Sequence, residues 1–69
     1  MIDVNKLRGR MAEKGRNGQD MAKVIGKTPK TFYAKMKAGV FDSAEIEAMV
    51  KDLEIEDPVA IFFADEVTS

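Results

Sequence analysis

The chain has 69 residues, no Cys and no His, and charged side chains make up 33% of it for a net charge of −1. That length allows one small domain, whose core must be efficient or shared with a second chain. The missing Cys and His exclude a disulfide framework, a Cys/His zinc site, thiol chemistry and a histidine base.

The first ten residues, MIDVNKLRGR, contain no apolar run of the kind a signal peptide needs, and no stretch approaches the ~20 apolar residues of a membrane span. The expectation is a protein of the reducing cytosol. Residues 3–14 are predicted as a first helix, with Asp3 as N-cap and Gly15 as its stop. Val4, Leu7, Met11 and Ala12 share one face, while Lys6, Arg8, Arg10 and Lys14 lie off it as solvated bases do. Gly9 costs about 1 kcal/mol relative to Ala inside a helix, which close packing on a neighbour would explain.

Asn17 and Asp20 have the spacing of a capping box for a second helix, whose buried face is Met21, Ala22, Val24 and Ile25. The rest of the chain is organised around residues 18–37, GQDMAKVIGKTPKTFYAKMK. Gly26 takes a positive φ that costs most residues about 1–2 kcal/mol, and Ala22 lets the next helix approach closely. Thr28 then caps a third helix that begins at Pro29, where no amide hydrogen bond is required, and runs to about Ala38. Phe32 and Met36 point inward with the stem of Lys35 along the apolar surface. Lys30, Thr31, Tyr33, Ala34 and Lys37 point outward. On spacing alone this is a helix-turn-helix, whose second helix lies in a DNA major groove, or an ordinary helical hairpin.

Gly39 stops the third helix, and Val40-Phe41 is read as an apolar plug for the core. Asp42 with Glu45 caps a fourth helix carrying the stripe Ile46, Met49, Val50 and Leu53, and Ile55 follows it. Asp57-Pro58 restarts the helix for the apolar run Val59–Phe63. The run is too short for periodicity to separate helix from strand, and the capping pair favours a fifth helix. Residues 64–69 read as a frayed acidic tail.

The charges are strongly segregated. Residues 1–41 hold ten bases and three acids, a balance of +7, and residues 42–69 hold one base and nine acids, a balance of −8. A positive lobe can meet phosphates while a negative lobe faces away.

The Ala22…Gly26 spacing in MAKVIGKTPKTF, the segment FYAKMKAG, and FDSAEIEAMVKDLEI followed by IFF together resemble the small Cro/repressor-type, lambda repressor-like helix-turn-helix regulators of temperate bacteriophages and prophages. The likeness covers about residues 4–63 and rests on order and spacing rather than on one motif. It implies an all-α, five-helix domain in a bacterial host's cytoplasm that binds operator DNA as a dimer on a near-palindrome. Lys27 and Lys35 stand where the family usually has aliphatic residues, which leaves the rotation of the third helix open.

Carried onto this chain, the resemblance places Thr28, Lys30, Thr31, Tyr33, Ala34 and Lys37 along the groove. Lys30 is the candidate for guanine O6/N7, and Tyr33 and Ala34 for a thymine methyl; for Lys30 and Lys37, phosphate contact alone is the alternative. Gln19 sits at the start of the second helix, where a phosphate can be held. Ile61, Phe62 and Phe63 are candidate dimer contacts, because so short a helix cannot turn all three into one core. Asp65 and Glu66 would repel across a two-fold axis, so the dimer is expected to be weak and completed on DNA. Carboxylate pairs such as Glu45/Asp52 and Glu54/Glu56 have no nucleophile, base or phosphate loop beside them, so no enzyme, metal, cofactor or small-molecule substrate is expected. The competing function is a small interaction module or antirepressor that binds another regulator instead of DNA.

Overall fold

Five helices and no strands make up the described residues, 2–63, of the computed structural model. They are α1 (Val4–Glu13), α2 (Gly18–Ile25), α3 (Pro29–Ala38), α4 (Ser43–Leu53) and α5 (Pro58–Phe62). The predicted acidic tail lies outside the described residues. Among the described residues, no helix is long and apolar enough to cross a membrane.

Local chemistry sets every helix start. The side chains of Asp3, Asn17, Thr28, Asp42 and Asp57 each accept a hydrogen bond from the amide three residues on, and Asn17–Asp20 and Asp42–Glu45 close full capping boxes. Such a cap is worth about 1 kcal/mol, so five of them matter in a domain of this size. Gly26 ends α2 in the left-handed conformation at φ 71° and ψ 31°. Between Pro58 and Phe62 the chain is helical, as the Asp57-Pro58 pair predicts.

The core gathers Leu7, Met21, Phe32, Met36, Met49 and Leu53, all fully buried, with Ile2, Met11, Ala22, Phe41, Ile55, Ile61 and Phe62 around them. Val4, Val24, Ile25, Ile46 and Val50 pack against it from the edge. Phe32 sits centrally, its ring centroid 5.7 Å from both Tyr33 and Phe41. α2 packs on α3 and α4, and α1 on α5. The Asp3 amide donates to the Ile61 carbonyl at 2.7 Å and so ties the N-terminal segment to α5.

Several sequence expectations are corrected. Phe41 plugs the core, but Val40 is 64% exposed; its amide donates to the Lys35 carbonyl at 3.0 Å and closes α3. Ala12 is exposed rather than on the buried face of α1. Gly9 has no close neighbour, since a Cβ built there meets nothing within 4 Å. It borders an open depression between α1 and α5 whose floor includes Ala60 and Ile61.

The bases of α1 are not all solvated. Arg10 donates from Nε to the Leu53 carbonyl and from Nη2 to the Glu54 carbonyl, both at 2.8 Å. These carbonyls close α4 and have no intrahelical donor, so a guanidinium both satisfies them and meets the negative end of the helix. Lys14 pairs with Glu54, and Arg16 grips both carboxylate oxygens of Asp52 at 3.0 and 3.3 Å. Glu54 itself is left-handed, at φ 50° and ψ 49°, which costs a residue with a Cβ some strain. The turn brings Ile55 back into the core.

Candidate nucleic-acid interface

At about 100° per residue, α3 divides into distinct faces. Phe32 and Met36 point into the core. Lys30, Ala34 and Lys37, at i, i+4 and i+7, form one outward ridge and are all exposed. Tyr33 and Lys35 lie on the two opposite flanks, and each is held by a different neighbour.

On one flank, Lys35 is half-buried and its ammonium lies 3.1 Å from Glu45 Oε1. The same oxygen accepts from the Asp42 amide at 2.9 Å. Glu45 is 4% exposed, and its Oε2 is buried with no hydrogen-bond partner. A charged pair thus links α3 to the start of α4. Reading Glu45 only as a cap misses this second role. The signal was present in the helical period of α3: a Lys at an inward position needs an anion within reach.

On the other flank, the Tyr33 ring crosses to the first residue of α2. A Cβ on Gly18 would lie 2.1 Å from the Cζ and Oη atoms of Tyr33, so the ring rests on the bare backbone. Tyr33 is nevertheless 52% exposed. With both flanks held, the ridge of Lys30, Ala34 and Lys37 faces outward.

Gln19 is exposed on the first turn of α2. Thr28 is exposed, but its hydroxyl is engaged locally: it accepts from the Thr31 amide at 3.2 Å and donates to the Thr31 hydroxyl at 3.0 Å. Thr31 is half-buried beside it. Among the candidate dimer contacts, Ile61 and Phe62 face the core of their own chain, while Phe63 is 40% exposed. Val59 is exposed one turn before Phe63 and accepts the Phe63 amide hydrogen bond, so the two form a small outward apolar pair.

Folding redistributes the charge that the linear sequence segregates. Lys14 and Arg16 are paired with Glu54 and Asp52 at the end of α4, Arg10 with Glu13 and the α4 carbonyls, and Lys35 with Glu45. The hydrogen bond and charge of Asp52 raise the Arg16 pKa above its ordinary value. The hydrogen bond and charge of Lys14 hold the Glu54 carboxyl below its own. Lys23, Lys27, Lys30 and Lys37, on α2, the turn and α3, are exposed and have no carboxylate partner among the described residues. Lys6 and Arg8 on α1 are also unpaired in that sense. Among the described residues, no three His, Cys, Asp or Glu side chains gather as a metal site requires.

Comparison of the chain with protein families, curated proteins and solved structures finds no match.

Proposed function

We propose that the chain is a sequence-specific, double-stranded DNA-binding regulator of the Cro/repressor type, in which α2, the Gly26 turn and α3 act as a helix-turn-helix and α3 enters the major groove. One observation carries the reading: the cations left without a carboxylate partner on α2, the turn and α3 are all exposed, and two of them, Lys30 and Lys37, form the outward ridge of α3 with Ala34. Lys23, Lys27 and Lys37 supply phosphate neutralisation, and Lys30, near the start of α3, is the residue aimed at a guanine edge. Ala34 between the two ridge lysines lets a base methyl approach.

One recognition helix spans only a few base pairs, so operator reading calls for two, about 34 Å apart on one turn of DNA. The exposed pair Val59 and Phe63 is the surface we assign to a weak homodimer completed on the operator.

The test is a binding titration against the DNA flanking the gene at several salt concentrations. Three lysine–phosphate contacts per protomer, six in the dimer, give a slope of log K against log salt of about −5.4. Lys30→Glu abolishes specific binding while its circular dichroism spectrum and melting temperature stay those of wild type. Binding that is absent, or indifferent to salt, refutes the proposal and favours the interaction-module alternative. Sedimentation with a palindromic site at saturating protein tests the dimer: a strict one-to-one protein–duplex complex rules it out.

A further inference from the structure

We propose that Gly18 is a positioning residue for Tyr33, and that the seated ring makes Tyr33 a contact to the DNA sugar–phosphate backbone rather than to a base edge. The inference rests on the DNA reading above and assigns a role to a glycine that its sequence position does not single out.

Gly18 is buried although it opens α2. What covers it is the hydroxyl end of Tyr33, since Cζ, Oη and Cε2 lie 2.1, 2.1 and 2.6 Å from where a Cβ would stand. Nearer its root the Tyr33 ring meets the Phe32 ring edge-on, at an interplanar angle of 69°. The side chain therefore packs on the protein while about half of it, 52%, stays exposed. Around the axis of α3, Tyr33 lies about 60° from Lys30, on the side of α2. Helical side chains lean back toward the N-terminus, and this one leans off the ridge altogether. A ring laid onto α2 cannot follow Lys30 and Ala34 to the floor of a groove. Its hydroxyl ends beside the first turn of α2, next in sequence to exposed Gln19, and from there the O–H donates to a phosphate oxygen at the groove wall. A neutral donor at that place adds affinity without reading sequence and without releasing a counterion.

The atoms that a side chain at position 18 would strike are the far end of a flexible residue. Gly18→Ala therefore leaves the fold intact and turns the ring away. Tyr33 is the only Tyr, and there is no Trp, so its ring protons are resolved by NMR. A nuclear Overhauser contact between these protons and the Gly18 Hα is expected in the wild-type protein; its absence overturns the seat.

For the DNA role, wild type, Gly18→Ala, Tyr33→Phe and the double variant are titrated with two short duplexes, one GC-rich and one AT-rich, across a salt series. Tyr33→Phe and Gly18→Ala each weaken binding by the worth of one hydrogen bond, about three- to tenfold, equally on both duplexes. The salt slope stays that of wild type, and the double variant is no weaker than Gly18→Ala alone. If Tyr33→Phe changes the ratio between the duplexes, the tyrosine reads a base and the inference fails. Wild-type affinity of Gly18→Ala also overturns it while the DNA reading stands. Failure of the wild-type protein to bind either duplex at low salt overturns that reading and the role of the hydroxyl together.

Discussion

Substituting Gly26 tests the turn on which the orientation of α3 depends. Its φ of 71° and ψ of 31° lie in the left-handed region, and a Cβ built on it meets nothing within 4 Å. The cost of a side chain there is therefore backbone strain, with no clash added. For Ala that strain is about 1–2 kcal/mol. Loss of glycine's freedom in the unfolded chain offsets about 0.4–1 kcal/mol of it. The net is a destabilisation of about 1 kcal/mol for Gly26→Ala, against a total stability of about 3–10 kcal/mol for a chain of this length. Gly26→Val, with its stiffer β-branched side chain, costs about 1–3 kcal/mol. Gly26→Asn comes closest to wild type because Asn tolerates the left-handed region. In a domain of this size 1 kcal/mol moves the melting temperature by about 4–8 °C. Thermal melts followed by circular dichroism at 222 nm should therefore rank the three variants Asn, Ala, Val in falling stability. A Val variant that melts with wild type refutes the reasoning, because it would mean that residue 26 is not left-handed in solution.

Two further perturbations follow from the ion pairs. Lys35→Met leaves Glu45 as a lone buried charge and destabilises by about 3 kcal/mol, the low end for a broken buried pair because Lys35 keeps some solvent. The double variant Lys35→Met/Glu45→Gln recovers most of that loss, since Gln still accepts the Asp42 amide; equal urea midpoints for wild type and Lys35→Met would contradict this. Glu54 has its pKa lowered from 4.5 by Lys14, and a carboxyl depressed in the folded state stabilises above its unfolded pKa and loses that contribution as pH falls. Melting temperature should therefore decline as pH drops below about 4.5, and more shallowly in Glu54→Gln than in wild type; identical acid profiles would remove the Lys14–Glu54 pair from the account.

The helices were legible in the sequence because their signals are local. Each cap and its amide partner lie three residues apart, so Asp3, Asn17, Thr28, Asp42 and Asp57 mark the starts without knowledge of the fold. The inward faces of α3 and α4 followed in the same way from helical period, with Phe32, Met36, Met49 and Leu53 all buried. Period also decided that Ile61, Phe62 and Phe63 could not all face inward, but only packing decided that Phe63 is the one left out. Folding alone determined the rest, because those contacts join residues with no local relation. Arg10 closes α4 across 43 and 44 residues, which turned bases read as solvated into the clasp between α1 and α4. Glu45 reads as a cap until α3 lies beside it and supplies Lys35. Gly18 reads as an ordinary first-turn residue until the ring of Tyr33 is laid on it. Charge can be counted along the chain, yet which cations stay without a carboxylate depends on distances that only packing sets. Backbone chemistry within a few residues thus fixes where the helices begin and end, and the surface that α3 presents arises from side chains brought together across the fold.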